Sequence, residues 1–412
     1  MAVEPQRGIG GAQDQDTASS TPTPVFPRPR SGEDLPGGTD AQDSDAQNSE
    51  DGVDRGGADG YEPTLAYGGE EPPEHAGGHG RPWPSARQQI GTGVAVLGWV
   101  LAAFLASHRF LPDTAGLASL LETWLPWLAV PTALLLIAAA FARSLRGLLA
   151  TGVAAAVWLG VYGPELFPRG DPLPPNLRVI SEDVNASSVE LAAVGQLAAN
   201  QHADVVTLEH LPPTLASSPS TQYLNSTYGF HITQYEYGVW SRYKITDARA
   251  IGVTTTDSDT SNGATALVAA VPHVVVGALR VTVSTPQGPL VLYVVHIPQP
   301  VLGDQGFAKV RDEAVNRLVS TVAADHADKL AIVGDINVAQ TDRRFTQLSS
   351  GLGLTSAQGA AGDGFGFTWP AEFPVVRLDD LLVRGATPVH SVVLPALAGG
   401  QTHLPIEIDL HL

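Results

Sequence analysis

The chain has 412 residues and a net charge of -19, with 42 acidic against 23 basic side chains and no cysteine. Disulfides, thiol catalysis and Cys-ligated zinc or iron are therefore excluded, and the acidic balance gives no basic footprint for long nucleic acids. The charge is uneven: residues 1–80 hold sixteen acidic and four basic residues, and residues 172–412 hold twenty-two and thirteen.

Residues 1–82 are rich in Gly, Pro, Asp, Ser, Thr and Gln and poor in apolar residues. Such a segment cannot bury enough surface to offset chain entropy, so a disordered acidic tail is expected. The composition then switches. Gln88–Ser107, Thr123–Ala142 and Gly147–Pro164 contain no charged residue. Each is about the length that crosses ~30 Å of hydrocarbon, so three transmembrane helices are expected within 88–164. Pro126 and Pro131 weaken the second window as a soluble helix but are tolerated in a membrane one. Arg81 and Arg87 precede the first window, and Arg143 and Arg146 separate the last two. The positive-inside rule then predicts a plasma-membrane protein with a cytoplasmic tail and an extracytoplasmic C-terminal part, the bilayer being its partner.

A Pro-rich linker over 165–176 leads into a globular unit over 177–412, of single-domain size. Apolar runs bounded by turn residues predict strands over Leu177–Ser181, Asp204–Leu208, Gly238–Ser241, Ala264–Val271, Val274–Ser284, Leu290–His296, Leu330–Gly334, Val375–Val383, Ser391–Leu394 and Leu404–Leu410. Helical periodicity marks Val189–Asn200 and Lys309–Ala323. TPQGP, within Thr282–Val291, is a hairpin turn by its Pro and Gly content. Many hairpins and few helices argue for an α+β unit.

Polar residues recur at the ends of these apolar runs. His296 ends LVLYVVH, and Asp335 and Asn337 end LAIVGDIN, two residues apart so that both can face one side. Asp379 lies in VVRLDDLLV, and His403 in GGQTHLP before the last strand. Taken singly, each also reads as a strand end with an Asx turn or a satisfied histidine.

In order, LRVISEDV with ADVVTLEHL, GVWSRYKI, YVVHIPQP, VGDIN, FTWP with VVRLDDLLV, and GGQTHLPIEIDL resemble the motif series of the endonuclease/exonuclease/phosphatase superfamily, the DNase I-like metal-dependent phosphoesterases. The resemblance covers Leu177 to Leu412 and extends to a bacterial variant with three N-terminal spans. It implies a four-layer α/β/β/α sandwich. It further implies a divalent cation, magnesium or manganese, with Asp335 acting on the attacking water and Asn337 on the phosphate. His296 would meet the phosphate or leaving group, and Asp379 would orient His403. Asp183 stands where the family has a metal-site asparagine, Glu209-His210 where it has Gln-Glu, and Gln401-Thr402-His403 where it has Ser-Asp-His. Asp183, Glu209 and His210 are therefore the expected metal ligands, in an altered site. Two functions follow: a membrane-anchored metal-dependent phosphoesterase acting on an unidentified phosphoester, or a degenerate domain, a pseudoenzyme, binding a ligand with the same cleft.

Overall fold

The computed structural model describes residues 85–185, 187–254, 274–303, 306–397 and 400–412. The acidic tail and the expected strand Ala264–Val271 lie outside the described residues.

The apolar windows contribute the helices α1 (Ala86–Ser107), α3 (Ala129–Phe141) and α4 (Leu145–Tyr162), and a short helix, α2 (Leu117–Thr123), forms between the first two windows. A capping box starts α1, where Ser85 Oγ accepts from the Gln88 N–H at 3.3 Å and the Gln88 side chain accepts from the Ser85 N–H at 3.0 Å. Small residues let α1 and α4 lie close together. A Cβ on Gly98 would sit 2.9 Å from the Thr151 nitrogen, and one on Gly91 2.6 Å from Ser144 Cβ. Leu105, further along α1, clusters with Trp158 and Tyr162 further along α4, so the two helices run parallel.

The middle window departs from expectation. Ala86–Phe110 and Leu145–Leu166 are each long and apolar enough to cross a membrane. Between them, Thr114–Thr123 and Leu125–Phe141 meet at a 61° bend, and they make a third span only if the bent pair is counted as one. Pro126 explains the break: it has no N–H to continue the preceding helix, and its ring crowds the turn before it. The chain passes instead through a 3-10 turn over Leu125–Leu128.

The C-terminal unit opens β1 (Leu177–Asp183), α5 (Ser188–Asn200), β2 (Val205–Glu209), α6 (Pro213–Ala216), α7 (Gln222–Thr227), β3 (Phe230–Gln234), β4 (Tyr237–Ser241), β5 (Lys244–Thr254), β6 (Val274–Thr285) and β7 (Gly288–His296). A short pair, β8 (Leu302–Gly303) and β9 (Gly306–Phe307), precedes α8 (Lys309–Ala323), β10 (Leu330–Asp335), α9 (Arg343–Leu348), β11 (Thr355–Ser356), α10 (Ala357–Ala361), β12 (Asp379–Arg384), β13 (Thr387–Val393) and β14 (Ile406–His411). One six-stranded sheet has the order β13-β14-β1-β2-β4-β3, and the other β11-β12-β10-β7-β6-β5.

Period-2 alternation dictates how the sheets meet. Leu177 and Val179, Leu279 and Val281, Leu292 and Val294 point between the sheets with Ile406 and Ile408. The intervening residues face outward: Ile180 and Val206 meet Leu191 and Val194 of α5, while Tyr293 and Ile332 meet Val315 and Leu318 of α8. Helices on the outside of two facing sheets give the four layers that were expected.

Several strands depart from the sequence reading. β12 begins at Asp379, because Val376 bridges to Trp369 instead of extending the strand. β3 and β5 carry little hydrophobic signal because they are edge strands, where one side meets solvent. The predicted hairpin at TPQGP holds, with Thr285 paired to Gly288, whose φ is +108°.

Candidate active site

The strand register brings the polar strand ends to one edge. Asp183 of β1 lies beside Glu209 of β2, while Asp335 of β10 lies between His296 of β7 and Asp379 of β12. His403 arrives from the loop before β14. Asp183, His296, Asp335 and His403 face a cleft of about 920 Å³.

Asp183 is the common member. Asp183, His210 and His296 can bring ligating atoms within 4.8 Å of one another, and so can Asp183, Asp335 and His403. His210 Nδ1 is 3.4 Å and His296 Nε2 3.7 Å from the two Asp183 carboxylate oxygens. The two imidazoles stack with ring centres 5.0 Å apart. His210 adopts φ +53°, a backbone state uncommon for a residue with a Cβ, which turns it from the end of β2 into the cleft.

Glu209 does not join this group. Strand alternation sends its side chain the other way, into the interior, where it accepts a hydrogen bond from Ser181 Oγ at 3.0 Å. Gly334 makes the room: a Cβ there would lie 2.8 Å from the Glu209 carboxylate and 2.4 Å from the Val295 carbonyl. Burial, with Asp183, Asp379 and Asp335 nearby, pushes the Glu209 carboxyl well above its usual range.

Asp335 is buried, and that burial drives its carboxyl up to about 7 despite the histidines near it. Its Oδ1 accepts from the Asn337 backbone N–H at 3.0 Å, and its Oδ2 accepts from the Asn337 amide. The same amide also donates to the Ile297 carbonyl at 2.8 Å. Both amide hydrogens of Asn337 are thus engaged in holding Asp335 and the strand end, rather than being directed into the cleft.

His403 Nδ1 is 2.8 Å from Asp379 Oδ2. Burial opposes a charge on this imidazole, but Asp379, Asp335 and Asp183 outweigh it and raise it to about 10. Thr368 of FTWP fixes Asp379 in turn, its Oγ1 accepting the Leu378 and Asp379 N–H groups at 3.1 and 3.4 Å. Gln401 donates to the His403 carbonyl at 2.5 Å and to Glu182 at 3.1 Å, which sets the loop that carries His403. His296 is likewise lifted, to about 9: burial resists, and Glu236, Asp335 and Asp183 prevail.

Sequence reasoning missed two contributors. Glu236, in the turn between β3 and β4, comes 3.8 Å from His296 Nδ1, and nothing in its local sequence separates it from an ordinary turn carboxylate. Leu120, Thr123 and Trp124, ahead of the bent helix, also line the cleft. A tryptophan two residues before a proline at the edge of an apolar window was the only available signal.

Two facing mixed sheets with carboxylates and imidazoles gathered at one edge have the architecture of a phosphoesterase. A model described as the Endonuclease/Exonuclease/phosphatase family matches residues 176–400, over half of the chain, and the chain belongs to that family. No curated protein matches. Among solved structures, the chain is similar to a 3′-5′ exonuclease from Neisseria meningitidis at 18% identity and TM-score 0.45, covering 57% of this chain and 100% of that one. It is also similar to a mannosyl-6-phosphatase from Bacteroides thetaiotaomicron at 12% identity and TM-score 0.43, covering 57% of this chain and 100% of that one. An endonuclease/exonuclease/phosphatase family protein from Leptotrichia buccalis gives 11% identity and TM-score 0.45, again over 57% of this chain and 100% of that one.

The family is typically dependent on a divalent metal, and the donor set here fits a divalent cation. Asp183 is buried and shared by both groups, and the His210 and His296 imidazoles pair with it. Two imidazoles among the donors suit manganese or zinc better than magnesium, which prefers oxygen ligands.

Proposed function

We propose that the chain is a membrane-anchored phosphoester hydrolase that uses a divalent cation held by Asp183, His210 and His296. One observation carries this reading: residues from six separate strand ends and loops converge on one cleft with mutually supporting geometry, which a set of unrelated surface residues would not do. Bound there, the cation would supply Lewis-acid polarisation of the phosphoryl oxygen. Asp335, buried at the end of β10 beside this group, would orient the attacking water and take its proton. Asn337 holds Asp335 in position. Asp379 tethers His403 through Nδ1 and leaves Nε2 to donate to a phosphoryl or leaving-group oxygen. His296, supported by Glu236, brings a second imidazole to the same cleft.

The two helices able to cross a membrane support the anchor, and α1 and α4 run parallel, so α4 leads into the C-terminal unit from the end opposite its arginines. With Arg143 and Arg146 at the start of α4, the positive-inside rule favours that end in the cytoplasm and the hydrolase outside.

A non-catalytic binding module is the second reading, favoured by the withdrawal of Glu209 and by Thr402 standing at the cleft in place of a carboxylate. The two separate by assay of the full-length chain in detergent on 4-nitrophenyl phosphate and its bis-ester, with manganese, zinc, magnesium and calcium. The hydrolase reading expects metal-dependent turnover that falls at least a hundredfold in Asp335→Ala and His403→Ala. Turnover unaffected by both substitutions, or none with any metal, refutes it.

A further inference from the structure

The catalytic cleft is not built by the C-terminal unit alone. Leu120, Thr123 and Trp124 form part of its wall, and α3 begins five residues after Trp124. The attachment of this wall is extensive. Gly116, at φ +76°, packs so closely on the Phe307 carbonyl that a Cβ would lie 2.0 Å from it. Ser119 is buried between Arg311 and Asp342: Arg311 Nη2 donates to Ser119 Oγ at 2.8 Å, Ser119 donates to Asp342, and Arg311 Nη1 pairs with Asp342 at 2.9 Å. Glu122 accepts from the Arg343 backbone at 2.9 Å and from its guanidinium at 2.8 and 3.1 Å. Trp127 Nε1 donates to the Val375 carbonyl at 2.8 Å. Four separate attachments make this segment a fixed wall rather than a lid.

Its remaining surface is apolar and uncovered. Leu117 and Leu121 are 54% and 51% exposed and Trp124 43%. Across the cleft, Val301, Val310 and Trp369 are exposed too. The cleft thus has a floor of carboxylates and imidazoles and, on its wall, the apolar side chains Leu120 and Trp124, carried by the segment that leads into α3. Water-soluble phosphoesters use the floor and have no use for such a wall, and exposed apolar surface of this extent marks a binding face.

We propose that the substrate is a phosphoester borne by a membrane lipid, with its phosphate over Asp335 and His403 and its hydrocarbon chain lying on Leu120 and Trp124 towards α3. This rests on the hydrolase reading above and names the substrate class of that site. The test uses the full-length chain in dodecyl maltoside micelles, which contain no phosphorus. Dioleoyl phosphatidate is compared with glycerol 3-phosphate, and dioleoyl phosphatidylglycerol with glycerophosphoglycerol, so that each pair shares its phosphoester and differs in its chains. The proposal expects kcat/KM at least tenfold higher for the lipid member of one pair. Trp124→Ser and Leu120→Ser should cut that lipid-to-soluble ratio about fivefold or more, chiefly through KM. Equal or better turnover of the soluble member, or a ratio unmoved by both substitutions, overturns the lipid assignment and leaves the hydrolase reading standing. No turnover of either class, here and on the nitrophenyl esters, overturns both.

Discussion

His210→Glu tests the metal site most sharply, because it restores the carboxylate that the family pattern has at this position. In the parent, the His210 imidazole lies 3.4 Å from Asp183, and the hydrogen bond to that carboxylate raises its affinity for a proton. The substitution replaces this attraction with two like charges. At 3.4 Å their repulsion is about 5 kcal/mol at an effective dielectric of ~20. The His210 side chain is 41% exposed, so solvent screening reduces the cost to about 1–3 kcal/mol. Without metal the variant should therefore melt lower by about 3–10 °C. Magnesium should reverse the loss, since a second carboxylate in place of the His210 imidazole suits a hard cation. Thermal melts of chelator-treated full-length chain, repeated across magnesium, manganese and zinc titrations, read this directly. The expected result is a magnesium affinity at least tenfold above the parent's, with the zinc preference reduced. A parent that already binds magnesium as tightly as manganese, or a variant with no magnesium gain, would refute the ligand assignment.

Glu209→Gln should leave metal affinity within about twofold of the parent and stability within ~1 kcal/mol, because burial already favours the neutral acid and the amide keeps its shape. Loss of metal binding in a calorimetric titration would return Glu209 to the ligand set. Asp325 provides a pH-dependent contrast away from the cleft. Burial raises its carboxyl, but Arg280 Nε at 2.7 Å, the Tyr293 hydroxyl at 2.8 Å and the Ala327 N–H outweigh it, holding the group at about 2 against the usual 3.8. A depressed folded value stabilises above the unfolded one and is lost as the pH falls through the folded one. Asp325→Asn should then cost about 1–2 kcal/mol at pH 7 in denaturant titrations, with the gap narrowing from pH 4 towards pH 2. A gap that is constant with pH would mean that packing, not charge, is what the substitution removes.

The strand-end residues were legible in the sequence because apolar alternation fixes where a strand stops and which way its last side chain points. That logic placed His296 and Asp335 at strand ends, whereas Asp183, the pairing of Asp379 with His403 and the reading of Glu209 and His210 as ligands came from the family resemblance. Conformation at single residues was not legible. The positive φ at His210 has no local sequence signal, and the room for the Glu209 carboxyl comes from Gly334 in the facing sheet, a contact that no local pattern reports. Asn337 was expected to act on the phosphate, yet its amide is engaged by Asp335 and Ile297, partners that only the fold brings near. Hydropathy found three apolar windows but could not show that Pro126 bends the middle one. Nor could it show that Glu122, an isolated acid at the window's edge, ties the bend to Arg343 and so makes it a cleft wall.

The account stands or falls on a divalent cation centred on Asp183, and metal titration calorimetry of the chelator-stripped full-length chain tests it most directly. The predicted result is one strong site per chain for manganese or zinc, weaker for magnesium, and at least tenfold weaker in Asp183→Asn. Absence of metal binding, or a site that Asp183→Asn leaves intact, would contradict it.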